Sequence, residues 1–356
     1  MRYIGSKEKL LNFIYDFIES KVDRGSDTLT FADLFTGTAT VSKFFRNKGY
    51  KVIANDILTV CVIWAKAALA SNSQITFNKL ANSKEIRKQE FTNLFPKNID
   101  LVLNHLNSLK GKEGFIYTEY SPEGTNNRMY LTGENASKID AIRNQIKLWK
   151  ASNLINESEE ALLIASLLLA TNRVANIAGT YGAFLKKWDK RAFNPIKLEL
   201  IDTPTNDNLD HIVIQQEVQQ ISESIVADVV YLDPPYNFRQ YGAYYHVLET
   251  IAVGDSPIVT GKTGLRPWQE KKSDFCYKGK AAIALKEVIN KLKINHIFLS
   301  YNADGILEHE EILEILREKG TVEFKDISFQ RYKSNNGGSG ELKVKERLYY
   351  VKSKSK

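Results

Sequence analysis

Cysteine is scarce in this sequence. Only two of the 356 residues are cysteines, Cys61 and Cys276, and they lie far apart in the chain. Two isolated cysteines cannot build a disulfide framework or a cysteine-based zinc site, and their scarcity favours a reducing, cytoplasmic location. The five histidines are scattered as well, and no His-x-x-x-His pair could hold a metal on one helix face. The sequence therefore predicts no bound metal.

Long hydrophobic runs are also missing. The longest, residues 161–170, has about half of the roughly 20 residues that a membrane-spanning helix needs, and it predicts a buried helix. The N-terminus lacks the apolar stretch of a signal peptide. We therefore expect a cytoplasmic protein with no membrane segment.

Acidic residues are outnumbered by basic ones. Lysine and arginine total 49 against 42 aspartates and glutamates, which gives a formal net charge of +7 at pH 7. A positive excess favours polyanionic partners, because each phosphate that a basic side chain neutralises releases counterions. The excess alone identifies no partner, since many basic proteins bind no nucleic acid.

What the sequence does contain is the pattern of a doubly wound α/β sheet. A buried strand at residues 28–35 is followed by a helix that opens at Val41 and by a second strand at residues 51–54. This order forms half of a Rossmann-like sheet, in which ligands bind at the carboxyl ends of the strands. Strand patterns return at residues 226–232 and 297–301. We therefore predict an α/β fold of this class.

Two further regions depart from this pattern. Residues 61–210 are polar and mainly helical, with a hairpin expected around residues 117–131, and they predict an insertion. Residues 322–332 and 342–351 alternate like strands around a turn-rich linker, residues 334–340, and predict a final antiparallel hairpin. The predicted organisation has three parts, which are residues 1–60, 61–210 and 211–356.

The sharpest motif is Asp233-Pro234-Pro235-Tyr236, which directly follows the predicted strand at residues 226–232. Two consecutive prolines cannot donate to a sheet ladder, so the strand has to end at Asp233 in a rigid turn. A carboxylate and an aromatic ring are thereby fixed at the edge where a doubly wound sheet binds its ligands. The motif alone leaves open an ordinary proline-terminated strand with a capping aspartate.

Four motifs in a fixed order resemble the N6-adenine-specific DNA methyltransferases of the alpha group, which are related to the Dam-type enzymes. They are Tyr3-Ile4-Gly5-Ser6-Lys7, the glycine turn at residues 33–40, Asp56, and Asp233-Pro234-Pro235-Tyr236. Residues 245–250, 299–302 and 331–334 agree with the same family. The resemblance covers residues 1–56 and 212–351. It implies a Rossmann-like methyltransferase sheet that binds the cofactor through residues 1–60, a target-recognition region in residues 61–210, and catalysis by residues 211–356.

The resemblance implies S-adenosylmethionine as the cofactor. The residues that it assigns to cofactor binding are Tyr3, Lys7, Asp33, Phe35, Gly37, Asp56, Glu217 and Asp233. Asp56 ends the second strand, where a carboxylate can accept the ribose hydroxyl protons of an adenosyl group, although a turn-forming aspartate is the alternative. Lys7 suits a carboxylate and could instead be a surface lysine. Glu217 could equally be a solvated glutamate on a helix face.

One position departs from the family's pattern. The glycine turn commonly has a second glycine where this chain has Ala39. A side chain at this position limits how closely the backbone can approach a ligand.

The reaction that the resemblance implies is methyl transfer to the N6 amino group of adenine. Asp233 and the carbonyl of Pro234 can accept the two amino protons and stabilise the positive charge that develops on nitrogen. Pro235 completes the rigid turn, and Tyr236 would stack on a base flipped out of the duplex. A tyrosine buried in the core is the alternative for Tyr236. This chemistry requires no metal and no covalent enzyme intermediate.

Two basic segments are candidates for the surface that faces DNA. The first, residues 181–197, interleaves aromatic residues with Lys186, Lys187, Lys190 and Arg191. The second, residues 261–280, contains Lys262, Arg266, Lys271 and Lys272. Such clusters fit contacts to phosphates, but an amphipathic element with a solvated face or an ordinary loop explains them as well.

Three alternatives compete with this interpretation. A nicotinamide-dependent oxidoreductase needs a Gly-x-Gly-x-x-Gly turn, whereas this turn has Gly37 alone. A non-catalytic DNA-binding relative would be expected to lose Asp233 and Tyr236, which are both present. Cytosine N4 in DNA or adenine N6 in RNA would use the same chemistry, and both stay open. We expect a monomeric enzyme acting on double-stranded DNA, paired with a restriction endonuclease in a restriction-modification system.

Overall fold

The computed structural model describes residues 7–23, 25, 27–87, 97–201, 207–330 and 343–354. The described residues form two units. The sheet unit lies within Gly5–Ala65, Asp207–Tyr241 and Gln269–Lys356, and the helical unit lies within Lys66–Asn206 and Gly242–Trp268. In the described ranges, none of the helices combines the length and the apolar character needed to span a lipid bilayer.

The strands are β1 (Thr30–Asp33), β2 (Lys51–Asn55), β3 (Ile212–Ile214), β4 (Val229–Leu232), β5 (His296–Asn302), β6 (Gly320–Gln330) and β7 (Lys343–Ser353). The helices of the first half are α1 (Leu11–Glu19), α2 (Thr40–Asn47), α3 (Thr59–Leu69), α4 (Asn78–Ala81), α5 (Lys84–Arg87), α6 (Asn98–Ser108), α7 (Phe115–Tyr120), α8 (Gly133–Ala151) and α9 (Glu157–Val174). Those of the second half are α10 (Val218–Ile221), α11 (Tyr241–Tyr244), α12 (His246–Val253), α13 (Lys278–Lys291) and α14 (His309–Lys319). Short 3-10 helices occupy Glu8–Leu10, Lys190–Phe193, Gln269–Lys271 and Asp274–Cys276.

The strands form one sheet in the order β3-β2-β1-β4-β5-β7-β6. The five strands β1 to β5 all run parallel to one another, whereas β7 is antiparallel to both β5 and β6. This order confirms the predicted doubly wound sheet with a final antiparallel hairpin. The motif at residues 331–334 and the linker at residues 334–340 lie outside the described residues.

The two faces of the sheet are packed differently because side chains alternate along each strand. On one face Phe31 stacks on Phe45 of α2 with ring centroids 3.8 Å apart, and Phe17 of α1 meets Phe298 edge-on at 5.9 Å. The other face is mainly aliphatic and shares a buried cluster with α13 and α14. Its strand residues include Ala32, Val230, Leu232, Ile297, Leu299 and Val351. Helices therefore cover both faces, which makes the central strands fully buried.

The helical unit is held by buried polar residues that bond to backbone groups. At the start of α9, Asn156 and Glu159 each accept the other's backbone N–H at 2.9 Å. The other carboxylate oxygen of Glu159, Oε1, accepts the N–H of Thr76 at 3.1 Å and also that of Phe77. Glu159 thereby satisfies donors at the helix start and in the chain before α4, while it is only 4% exposed.

The hairpin expected around residues 117–131 is wrong, because Phe115–Tyr120 forms helix α7. Its aromatic residues favour a strand when taken alone. Asp140 of α8 overrides this preference, since its Oδ1 accepts the N–H of Ile116 at 3.0 Å and its Oδ2 accepts that of Tyr117 at 2.8 Å. A carboxylate distant in sequence thus caps the first turn of the helix.

Candidate active site

The carboxyl ends of the parallel strands bring the predicted motifs of the sheet unit together. From β1 the sheet continues to β2 and β3 on one side, and from the adjacent β4 it continues to β5 on the other. The boundary between β1 and β4 is therefore the topological switch point, where doubly wound sheets bind their ligands. Asp33 pairs with Tyr231 in the β1–β4 register, so the Asp233 turn begins just beyond the end of β1.

The turn after β1 contains two residues in the left-handed region, Gly37 with φ of 52° and Ala39 with φ of 57°. Glycine adopts this conformation freely, but an alanine is strained there by about 1–2 kcal/mol. The N–H of Thr36 donates to the carbonyl of Asn55 at 2.9 Å, which fastens the turn to the end of β2. The position where the family commonly has a second glycine is thus one where this chain tolerates strain.

Asp56 directly follows β2 and contacts the same turn. Its Oδ2 accepts the N–H of Gly37 at 3.0 Å, and its Oδ1 accepts the N–H of Leu58 at 3.0 Å. These backbone donors orient the carboxylate. An ionised carboxylate only accepts hydrogen bonds, so its natural partners are donors such as hydroxyl groups.

Asp33 is buried at the end of β1, with 1% of its surface exposed. Its Oδ2 accepts the hydroxyl of Ser42 at 2.7 Å, whereas its Oδ1 is buried and has no hydrogen-bond partner in the described part of the chain. Burial, assisted by the charges of Asp233 and Asp56 and opposed by the Ser42 hydroxyl, raises the pKa of Asp33 to about 7. A buried oxygen without a partner marks a place where a ligand donor fits.

Asp233 shares an ammonium group with a second carboxylate. The Nζ of Lys7 lies 2.9 Å from Oδ1 of Asp233 and 2.9 Å from Oε1 of Glu346 on β7. Burial on its own lowers the pKa of Lys7, but Asp233 and Glu346, together with Tyr231 and Tyr236, raise that pKa well above the usual range. Burial raises the pKa of Asp233 to about 6, with Lys7 opposing the shift and Glu346 adding to it. Lys7 is therefore a buried cation and not a surface lysine.

Tyr236 is held from two sides. Its carbonyl accepts the N–H of Ile306 at 2.9 Å, and its ring meets Tyr301 edge-on with centroids 6.3 Å apart. Lys7 Nζ lies 5.7 Å from the centroid of the same ring. The side chain is half-buried. An aromatic face thus stands next to the Asp233 carboxylate at the switch point.

The donor and acceptor groups of this edge fit a nucleoside that carries an ammonium group, as S-adenosylmethionine does. The unpartnered oxygen of Asp33 suits a cationic donor, and the oriented oxygens of Asp56 suit adjacent hydroxyl groups. Phe35 packs edge-on against Phe275 at 5.2 Å and offers an apolar wall for a base.

For the remaining predicted cofactor and turn residues, the structure gives fewer contacts that bear on their roles. Tyr3 lies outside the described residues. Glu217 occupies the N-cap position of α10, and its carboxylate accepts the side-chain amide of Gln220 at 3.2 Å. Pro234 is buried and Pro235 is half-buried in the turn.

The predicted DNA-facing residues differ in exposure, because five lysines are exposed whereas Arg191, Arg266 and Lys271 are half-buried. The exposed group comprises Lys186, Lys187, Lys190 and Lys262 of the helical unit and Lys272 of the sheet unit. Arg191 donates to the carbonyl of Ile177 and pairs with Asp189. Arg266 pairs with Asp255 at 2.9 Å, and Lys271 donates to Thr59 at 2.8 Å.

Four polar residues of the site were not predicted from the sequence: Ser42, Asn55, Ser300 and Glu346. Asn55 donates from its amide to the carbonyls of Leu34 and Gln216, and so joins the chain ends beyond three strands. Glu346 had a detectable signal, because it shares the strand face of Leu348 and Tyr350 and is a lone acid on an apolar stripe. The serines carried no signal of this kind.

The fold and this edge define the class of doubly wound α/β proteins that bind a nucleoside-containing ligand at the switch point. The family model of the "D12 class N6 adenine-specific DNA methyltransferase" matches residues 3–315 of the chain. The chain belongs to this family.

Curated relatives match over almost the whole chain. The type II methyltransferase M.FokI of Planomicrobium okeanokoites is 39% identical over 354 residues, which cover 99% of this chain and 52% of the relative. The type II methyltransferase M.NlaIII of Neisseria lactamica is 33% identical over 353 residues, which cover 99% of this chain and 98% of the relative. The chain thus spans about half the length of M.FokI. Among solved structures, a SAM-dependent methyltransferase from Agrobacterium tumefaciens matches with a TM-score of 0.36 and 11% identity, over 99% of this chain and 64% of that one.

Proposed function

We propose that this chain transfers a methyl group from S-adenosylmethionine to the N6 amino group of an adenine in double-stranded DNA. The observation that carries the proposal is the ion pair between the buried Lys7 and the half-buried Asp233 beside the Tyr236 ring at the switch point. Membership of the D12 class family supports the same chemistry. The cofactor supplies a methyl group already activated on a sulfonium.

The residues of the chain then have to activate a weak nucleophile, because the lone pair of the adenine amino group is delocalised into the ring. The Asp233 carboxylate and the Pro234 carbonyl would accept the two amino protons, localise the lone pair and stabilise the positive charge that develops. Lys7 keeps Asp233 ionised by standing 2.9 Å from its oxygen. Tyr236 would stack on the base, which has to leave the duplex to reach this edge.

The proposal extends to the helical unit. Residues 61–210 would read the target sequence, and the exposed Lys186, Lys187, Lys190, Lys262 and Lys272 would contact phosphates. Arg191, Arg266 and Lys271 would shape that surface through their internal bonds and not by direct contact. We further infer a monomer that acts in the cytoplasm with a cognate restriction endonuclease. The names of the relatives as type II methyltransferases support this pairing.

Methyl transfer from labelled S-adenosylmethionine to unmethylated DNA tests the proposal, with the product identified by nucleoside analysis. We expect N6-methyladenine from the wild type and a loss of about 100- to 1000-fold in rate in Asp233→Ala, far larger than its loss of cofactor affinity. Asp210→Ala, which removes an exposed carboxylate of the same unit, is the matched control and should keep full activity. Product at cytosine N4 would overturn the proposed base, and transfer to RNA alone would overturn the proposed nucleic acid. Cofactor binding without any transfer would overturn the proposed activity itself.

A further inference from the structure

Glu346 is a second carboxylate at the reaction centre, and it comes from the last strand of the sheet. Its Oε1 lies 2.9 Å from Lys7 Nζ and accepts the hydroxyl of Ser300 at 2.7 Å. The side chains of Lys7 and Glu346 are each only 4% exposed, and Ser300 is 1% exposed. These three residues and Asp233, whose side chain is 16% exposed, therefore form one largely buried network drawn from four parts of the chain.

The charges of this network do not balance. One ammonium group stands between two carboxylates, which gives a buried net charge of −1 when all three groups are ionised. Placing a second carboxylate near Asp233 is unfavourable in itself, because like charges in a buried site repel each other. A neutral pair of Lys7 and Asp233 would be the simpler arrangement if the lysine only had to neutralise the aspartate.

The second carboxylate changes what Lys7 can do. An ammonium group with three donors can bind a single carboxylate through both of its oxygens, and would then compete with any other donor for that carboxylate. Glu346 draws one of these donors to itself, and Ser300 fixes the Glu346 oxygen that receives it. Lys7 thus contacts Asp233 through Oδ1 while it is tethered from the other side.

We propose that Glu346 is a positioning residue, which tethers Lys7 so that the ammonium group contacts one oxygen of Asp233 and leaves the other oxygen able to accept a hydrogen bond from the amino group of the target base. This inference rests on the proposed methyl transfer. Glu346 itself touches neither the base nor the cofactor in this proposal.

The inference predicts a specific pH effect. The groups that act electrostatically on Asp233 and Lys7 are Glu346, Asp33, Tyr231 and Tyr236. Among them the negative charge of Glu346 holds the pKa of Asp233 up, whereas Lys7 holds it down. Removing only the charge of Glu346 therefore lowers the pKa of Asp233 and moves the acidic limb of the activity profile to lower pH.

The test compares Glu346→Gln with the wild type, because glutamine keeps the shape and loses the charge. We expect the single-turnover methylation rate to fall by roughly 10- to 100-fold, as a misplacement of about 1 Å can do. The acidic limb of the profile should move down by about one pH unit, and the affinity for S-adenosylmethionine should stay unchanged. Asp326→Asn is the matched control, since it removes a carboxylate from the same hairpin that pairs with Arg347 and Lys345.

A merely structural role for Glu346 gives a different result. It would lower the melting temperature and the amount of active protein, but would not change the acidic limb of the pH–rate profile or the rate per active site. That outcome overturns the inference. A matching loss of cofactor affinity overturns it as well. If Glu346→Gln does not fold, Ser300→Ala should give a smaller loss of rate, because it loosens the tether without removing a charge.

A titration without substrate separates this inference from the proposed function. The carboxyl carbon of Asp233, assigned by NMR against Asp233→Asn, should titrate at lower pH in Glu346→Gln than in the wild type. This readout exists even if the wild type proves inactive on DNA. An unchanged midpoint would overturn the role of Glu346 and leave the proposed methyl transfer intact.

Discussion

The helical unit and the carboxyl edge of the sheet both bury polar side chains, but they use them differently. In the helical unit, Asn135 and Asn176 donate their side-chain amides to backbone carbonyls and accept backbone N–H groups. Glu159 accepts three backbone N–H groups. These side chains stabilise loops and helix ends that would otherwise hold unsatisfied groups.

The sheet edge buries charge whose partners are mostly other side chains. Asp233 and Glu346 share Lys7, and Asp33 keeps one oxygen without a partner in the described residues. Such an arrangement lowers stability, because a buried charge that is incompletely paired is unfavourable. The difference teaches that those three buried polar side chains of the helical unit bond to the backbone, whereas at the sheet edge a buried carboxylate oxygen of Asp33 keeps unused hydrogen-bonding capacity.

The largest expected effect on stability lies in the helical unit. Glu159→Gln should lower the free energy of unfolding by about 3 kcal/mol, because buried N–H donors lose a charged acceptor. The methylation rate per folded molecule should not change. Glu157→Gln is the control on the same helix, since Glu157 is exposed and its 3.5 Å pair with Lys66 contributes less than about 1 kcal/mol. Chemical denaturation measures the free energy of unfolding of both variants. Equal losses would contradict the stabilising role given to buried polar groups in the helical unit.

Replacing Asp33 at the sheet edge by a neutral residue should have the opposite effect and raise the free energy of unfolding. The folded-state pKa of Asp33, about 7, lies above its unfolded value, so the folded protein keeps a proton that the unfolded chain has lost. Stability from this group is therefore complete below about pH 4 and is lost as pH rises through about 7. A shift of about three units corresponds to about 4 kcal/mol, of which we expect Asp33→Asn to recover about half, since the new amide also lacks a partner.

Denaturation at two pH values checks the Asp33 prediction. Asp33→Asn should be about 2 kcal/mol more stable than the wild type at pH 8 and no more stable near pH 4, while its affinity for S-adenosylmethionine falls. The exposed Asp16→Asn serves as the control. A variant that is less stable at pH 8 would show that the Asp33 charge is structural.

The smallest expected effects concern exposed lysines of the helical unit. Replacing Lys186 and Lys187 together by glutamine should leave stability unchanged and weaken DNA binding by about 1 kcal/mol per lost phosphate contact. The slope of log affinity against log salt should fall by up to about 2. The same change at Lys110 and Lys112, also exposed in this unit, is the control. Equal effects from both pairs would mean that only net charge matters.

Much of the fold could be predicted because its signals are local. The runs that became β1, β2, β4 and β5 are apolar and end in turn residues, and the final hairpin alternates around a turn-rich linker. The three-residue strand β3 is too short to give a pattern. Helix α7 was mispredicted because its cap, Asp140, lies 24 residues beyond Ile116 and cannot be paired with it from sequence alone.

In the candidate site, too, features with local sequence signals were predictable and features that depend on distant residues were not. Asp33, Gly37, Asp56 and the Asp233 turn follow strand ends, and parallel strands bring such ends to one edge. Their burial and pairing were not predictable, because Lys7 meets Glu346 only through the order β5-β7-β6. The resemblance to a known family implies the chemistry of the motifs, whereas the strained φ of Ala39 is a property of the folded turn that the sequence does not reveal.

The placement of β7 between β5 and β6 has a consequence for biosynthesis. In the chain β7 follows every other strand of the sheet, yet it inserts beside β5 and carries Glu346 to Lys7. A nascent chain on the ribosome therefore has the glycine turn, the Asp233 motif and Lys7 long before it has the tether for Lys7. In this arrangement Lys7 gains its partner Glu346 only after all the other strands of the sheet have been made, and a nascent chain that has not yet reached β7 would carry an unfinished sheet edge and an untethered lysine.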